Sequence, residues 1–520
     1  MVTRRRLLAS LAGLPLLQLG QPIRQLLAAT PDFGTGFSFE RLSAMARVLA
    51  ESPYQPPPTV QAAALDRIDY DLIQQIRFRP EKALWAGTDS PFKVQFFHLH
   101  SGVRQPVRIF VVEDSQEREL AYSPDAFDYG RTGLQRELPA NLGFAGFRVM
   151  NPDGKTDWLA FQGASYFRTA GAQNQYGLSA RGIAIDTALP GRQEEFPLFT
   201  AFWLERPASG SDTLRIHALL EGPSLTGAYR FDCRQGNGQV MAVRAELFPR
   251  TAIERLGVAP LTSMFWYGEN NRYDAIDWRP EVHDSDGLAL WTGSGERIWR
   301  PLINPRRVET SSFVDHSPRG FGLLQRDRAF DHYQDDSAFY EKRPSLWVEP
   351  LGDWGEGAVQ LVEIPTDDEI HDNIVAYWVP ARPAVGGERL RFDYRLHWLA
   401  DEPYPSTAVG RVVATRIGRG GVPGQPHSRA PSLYKFAIDF TGGPLAALAQ
   451  RYDVEMVVTA SRGEIVNPYA LKVVGTENWR GVFDIDLPDN ELVELRAYLR
   501  LDGRPLTETW LYRFLPPAAR

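Results

Sequence analysis

From Pro80 onward the chain is cut into short runs that no long helix can accommodate. FKVQFFHL, PVRIFVVE, FRVMN, WLAFQGASYF, LFTAFWLE, LRIHALLEG and AYRFDCR follow one another, separated by Gly, Pro, Asn or Asp. Several alternate apolar with polar residues, which places the apolar set on one face of a strand. Similar runs continue through GAVQLVEIP and NIVAYWVP to LRFDYRLHWL, which ends at Leu399. Many short strands with closely spaced turn signals predict a mainly β fold, built as a large antiparallel sandwich. The 12% aromatic content, 44 Gly and 39 Pro favour the same outcome, because aromatic rings pack well on pleats while Gly and Pro make turns.

With 520 residues the chain exceeds what one core usually holds, so more than one domain is expected. A polar, Pro-containing stretch at Ala400–Ser406 reads as a boundary. Beyond it come about seven further strand candidates: RVVATRI, YKFAIDF, VEMVVTA, YALKVVG, GVFDIDL, VELRAYLRL and ETWLYRF. That number in so short a stretch fits an immunoglobulin-like sandwich. The Gly/Pro-rich piece Gly418–Pro426 is expected to be an exposed loop. Before Pro80, Phe39–Pro53 and Leu65–Phe78 have helical spacing of their apolar residues. At the N-terminus, Thr3-Arg4-Arg5-Arg6-Leu7-Leu8 and the apolar run to Leu19 fit a twin-arginine export signal, with cleavage expected near Ala28-Ala29-Thr30. The expected division is therefore a signal over 1–29, a large β-sandwich over 30–402 that carries the ligand site and an Ig-like sandwich over 403–520. The mature chain is expected to be exported, without stable membrane insertion.

The net charge of −7 leaves no basic stripe for nucleic acid, and a neutral polar ligand suits it better. The single cysteine, Cys233, can form neither an internal disulfide nor a cysteine-based metal site. There is no G-x-S-x-G elbow, phosphate loop or H-E-x-x-H helix, so serine hydrolase, nucleotide-dependent and zinc chemistry lose support. No cofactor and no metal are expected. The chemistry-bearing residues gather instead in two places. Trp278–Pro301, WRPEVHDSDGLALWTGSGERIWRP, mixes carboxylates, His283 and three tryptophans; Glu363–Asn373, EIPTDDEIHDN, is a second acidic cluster. Carboxylates beside aromatic rings suit glycosidic-bond chemistry, which needs an acid and a base on either side of one bond.

Several long segments carry a family resemblance: IDYDLIQQIRFRPEKALW, TSMFWYGENN, RPEVHDSDGLALWTGSGERIWRPLINP, SSFVDHSPRGFGLLQRDRAFDHYQD and RPSLWVEPLGDWGEGAVQLVEIPTDDEIHDNIVAYWVP, together with the C-terminal sandwich. They resemble the periplasmic glucan biosynthesis proteins G and D, and the twin-arginine signal looks like the D branch. The resemblance implies a galactose-mutarotase-like β-sandwich followed by an Ig-like domain, located in the periplasm. It implies a linear β-1,2-glucan as partner and anomer-inverting cleavage within the chain, by hydrolysis or by transglycosylation and cyclisation. It places the general acid at Asp372 and the general base at Asp284, and puts Tyr340 on a loop that closes over the glucan.

The residues themselves leave alternatives open. Glu369 could tune Asp372 as a nearby like charge. His283 and His371 could orient the aspartates or serve as structural histidines. Asp284 or Asp286 could be a turn carboxylate binding backbone amides, and Glu281 is a rival for catalysis. Trp278, Trp291 and Trp354 offer faces to sugars, although a large sandwich also buries such rings. Arg279 could bind hydroxyls or clamp acidic loops. A non-catalytic scaffold that holds nascent glucan is the competing function, and a homodimer is compatible with either.

Overall fold

A computed structural model describes residues 36–517 except 61–62, 237, 423, 426–428 and 490. The export signal expected over 1–29 lies outside the described residues. Among them, two large sheets dominate, one of ten strands and one of fifteen, almost wholly antiparallel. The ten-stranded sheet runs through Lys93–Phe97, Gly146–Met150, Asp157–Gln162, Tyr166–Thr169, Ser179–Arg181, Leu256–Ser263, Ile374–Pro380, Glu356–Glu363 and Glu309–His316, in that spatial order. Its inner face meets the fifteen-stranded sheet in one continuous apolar core. Phe147 and Phe161 on the first sheet stack at 5.2 Å, and Phe161 meets Phe202 of the second sheet edge to face at 5.5 Å. Such offset and edge-on contacts are the favoured aromatic geometries. The sandwich read from the alternating runs is therefore present.

The seven strands expected after residue 403 are all found, at Arg411–Arg419, Leu433–Thr441, Glu455–Ala460, Glu464–Lys472, Trp479–Asp486, Val493–Leu501 and Thr509–Phe514. Four form their own sheet. Glu455–Ala460, Val493–Leu501 and Thr509–Phe514 instead continue the fifteen-stranded sheet, because Thr509 and Trp510 pair in parallel with Ile298 and Trp299. A second core lies between these layers. Phe436, Phe483 and Trp510 fill it together with Trp299 and Trp347 from the larger sandwich. Gly418 falls within the strand Arg411–Arg419, and part of the expected loop Gly418–Pro426 lies outside the described residues.

The helical expectations divide. Phe39–Ala50 is a helix capped by Ser38, whose hydroxyl accepts from the Arg41 amide at 3.2 Å. Phe39, Leu42, Met45 and Ala46 seat it against Trp203 and Phe110. Leu65–Phe78 is not one helix. Asp69 caps a new turn by accepting from the Leu72 amide, splitting the segment into Ala63–Asp66 and Tyr70–Ile73. Arg77–Phe78 is then extended and pairs with Phe127–Asp128. Leu65, Ile68 and Ile76 still reach the core, but from separate turns. Spacing alone cannot distinguish those two ways of burying the same residues.

One buried ion pair ties the layers together near the acidic loops. Arg300, on Arg297–Pro301 of the fifteen-stranded sheet, donates to Glu363 at 3.0 Å, at the end of a strand of the ten-stranded sheet. The Ile303 amide donates to the other Glu363 oxygen at 2.8 Å. Both side chains are within 2% of full burial.

Candidate acid–base site

The strand Leu256–Ser263 ends where the two acidic segments arrive. The Asp284 amide donates to the Met264 carbonyl at 2.8 Å, and the Asn373 amide donates to the Ser263 carbonyl at 3.1 Å. Asp284 and Asn373, the residue after Asp372, are thus tethered to adjacent residues of one strand end. The Asn373 side chain locks the arrangement. It accepts from the Phe265 amide at 2.8 Å and donates to the Phe265 and Ile364 carbonyls, each at 2.9 Å. Below, Ser263 and Ser285 share a hydroxyl contact of 2.7 Å. Gly287 lets the chain leave this point closely packed: a Cβ there would stand 2.2 Å from the Trp299 ring.

Asp372 meets solvent along its side chain, yet burial of its carboxyl raises its proton affinity above the ordinary carboxylate value, against the Arg168, Arg181 and Arg343 charges, which act from beyond ion-pair distance. Asp284 is buried and forms an ion pair with Arg343. Two carboxyl groups on one strand end therefore sit in different environments, as a proton donor and a proton acceptor require.

The loop around them is clamped by Arg279. Its guanidinium donates to Asp277 at 2.9 and 3.1 Å, to Asp335 at 2.8 Å and to both Glu369 oxygens at 2.9 Å. Arg279 is thus committed to three carboxylates, the clamp on acidic loops that stood beside hydroxyl binding as its alternative role. The Tyr340 hydroxyl also donates to Glu369, and burial followed by that carboxylate pushes the phenol far above its usual range. Tyr340 is 2% exposed and opens the turn Tyr340–Lys342. Glu369 is consequently a hub between two loops.

His283 lies behind Asp284, stacked on Phe265 at 5.4 Å. Gln325 uses its amide nitrogen on the His283 and Tyr340 carbonyls, both at 3.1 Å, so its oxygen must accept from His283 Nδ1 at 3.0 Å. Glu281 accepts from Nε2 at 3.0 Å. Both ring nitrogens therefore carry protons. Burial opposes the charge, but Glu281, Asp286 and Asp327 outweigh it and raise the histidine's proton affinity. Glu281 and Asp286 line a crevice toward Val412–Thr415 of the C-terminal layers. Asp286 accepts from the Arg326 and Asp327 amides at 3.0 and 2.9 Å. Asp286 thus ties its own segment to Arg326–Asp327, while Glu281 is bonded to His283. His371 is exposed on the loop beside Asp372. Among the described residues, Glu281, Asp327 and His332 form a set whose ligand atoms lie within 4.8 Å of one another; His283 and an Asp327–His332 contact already engage it.

The tryptophans separate sharply. Trp354 is 7% exposed and packs on Trp378, Phe392 and Tyr394. It is a core residue, which corrects its assignment to substrate. Trp291 ends the strand Gly287–Trp291, about 16 Å along it from Asp286. There it lies under Arg297 at 3.8 Å and borders the C-terminal layers, away from the acid pair. Trp278 is 74% exposed. It adjoins Arg279, and Ile370 adjoins Glu369, so the two exposed apolar side chains share the rim of the clamp. Arg343, just after the turn Tyr340–Lys342, Thr262, on the strand that ends at the site, and Arg181, on Ser179–Arg181, carry no local motif, so sequence reasoning misses them.

The family model for periplasmic glucan biosynthesis protein, MdoG, matches residues 37–514. The chain is 52% identical to glucans biosynthesis protein D 2 of Ralstonia nicotianae, over 99% of this chain and 98% of that protein. It is 52% identical to glucans biosynthesis protein D of Stenotrophomonas maltophilia, over 93% and 90% of the two chains. A glucans biosynthesis protein D of Xanthomonas campestris pv. campestris is 51% identical, over 93% and 91%.

Proposed function

The chain belongs to the periplasmic glucan biosynthesis protein family, and from that premise we propose that it cleaves linear β-1,2-glucan within the chain, with inversion, using Asp372 as general acid and Asp284 as general base. The observation that carries this reading is the shared strand end: Asp284 and Asn373, the neighbour of Asp372, bond Met264 and Ser263, with Asp284 paired to Arg343 and the Asp372 carboxyl raised by burial. Asp372 would protonate the leaving glycosidic oxygen. Asp284 would take a proton from water, or from a sugar hydroxyl when the chain is transferred or cyclised. Glu369 and Tyr340 would set the loop that shapes the cleft, and Trp278 would support a sugar ring at its rim. The residues before 30 would direct export through a twin-arginine signal, consistent with a periplasmic family.

The purified mature protein incubated with linear β-1,2-glucan should shorten or cyclise it. Binding without any new product would favour the scaffold instead. The pH profile gives a further check. A general acid works only while protonated, and Asp372 holds its proton to a higher pH than an ordinary aspartate. The rate should therefore fall on the alkaline side through the raised Asp372 value, and Asp372→Asn should remove that limb from whatever activity remains. An alkaline limb that persists in Asp372→Asn would assign the acid elsewhere.

A further inference from the structure

We propose that Arg343 is the positioning residue that sets Asp284 apart from Asp372, by pairing its guanidinium with the Asp284 carboxylate. The proposal rests on the acid–base reading above and extends it to a residue outside the reacting pair. Among the described residues, Asp284 is the one carboxylate in ion-pair contact with Arg343. The other candidates stand further off: Glu369 is bonded to Arg279 and Tyr340, and Asp372 makes no ion pair with Arg343 among the described residues. An opposite charge in contact stabilises a carboxylate far more than one acting at longer range. Arg343 also faces Glu369 and Asp372, whose charges support its own; burial still draws it down to about 10, which leaves it cationic at neutral pH.

The guanidinium is held in place from several sides. It lies 4.1 Å over the Tyr340 ring. The Arg343 amide donates to the Tyr340 carbonyl at 3.1 Å, and its own carbonyl accepts from Arg328. Gly177 leaves room for the stem, since a Cβ there would come within 2.9 Å of Arg343 Cβ. A movement of the Tyr340–Lys342 turn would therefore carry the charge with it, coupling the loop to the base.

Three proteins test this: the unaltered chain, Arg343→Gln and Arg343→Lys. The Asp284 carboxyl is titrated by carbon-13 NMR on aspartate-labelled protein, with its resonance identified by its loss in Asp284→Asn. The midpoint should rise by about one unit or more in Arg343→Gln and stay within about half a unit of the unaltered value in Arg343→Lys. The acidic limb of kcat on linear β-1,2-glucan should move up with it, while KM holds. A role confined to packing would lower both variants' stability and leave the midpoint in place. An unmoved midpoint, or cleavage with an unmoved acidic limb, overturns the role of Arg343 alone. An unaltered protein that binds glucan and cleaves nothing overturns the acid–base reading, and the role assignment falls with it.

Discussion

Asp372→Asn is expected to lower kcat on linear β-1,2-glucan by on the order of 10³-fold and to leave glucan binding largely intact. Asparagine keeps the shape of the side chain and the Asn373 tether beside it, but it cannot deliver a proton to the leaving oxygen. Asp284→Asn should cost a comparable factor, because an amide cannot accept the proton of the attacking water or hydroxyl. The two losses should not add fully, since both groups act in one step. Asp367 supplies the contrast: it is exposed on the same loop, and Asp367→Asn should leave the rate unchanged. Quantifying products over time for the four proteins, with binding measured separately, checks this. Equal rates in Asp372→Asn and the unaltered chain would remove Asp372 from the chemistry.

Glu363→Ala is expected to destabilise the fold by about 3–5 kcal/mol. Arg300 would then keep a positive charge within 2% of full burial with no carboxylate partner, and the Ile303 amide would lose its acceptor. Burial, helped by the Glu309 charge, raises the Glu363 carboxyl above its ordinary value against the Arg300 charge, so desolvation is a large part of the balance at this pair. Replacing both residues, as Arg300→Met with Glu363→Leu, should therefore cost less than Glu363→Ala alone. Urea unfolding of the three proteins measures it. Glu363 also precedes the loop that carries Glu369 and Asp372, so the single variant should lose activity before it unfolds. A double variant less stable than the single one would show that the pair contributes more than it costs to bury.

Much of this was legible from the sequence, for physical reasons that also mark its limits. A period of two is enforced wherever one face of a strand is buried, so the seven C-terminal strands could be read from alternation. Those runs carry no information on which sheet each strand joins, and three of them extend the main sheet by pairing Trp510 with Trp299. The helix at Phe39–Ala50 showed itself by spacing and by its Ser38 cap. Asp69, equally a cap, interrupts the next such pattern. At the site, the two acidic clusters were visible as clusters, and the family resemblance pointed to one aspartate in each. The environments were not visible. Glycines around Trp354 suggested an exposed loop, yet the ring turns into the core. Trp291 lies a few residues from Asp284, but an extended strand carries it away. Arg279 and Arg343 look alike in the sequence; one is spent on three carboxylates and the other pairs with Asp284.

Inversion at one β-1,2 linkage by Asp372 and Asp284 is checked by proton NMR of the glucan during turnover. The first new anomeric signal should have the α configuration, as a free reducing end after hydrolysis or as a new α linkage after transfer, and it should be absent from the Asp372→Asn and Asp284→Asn reactions. A first product of β configuration, or an α signal that grows equally fast in both variants, would contradict the account.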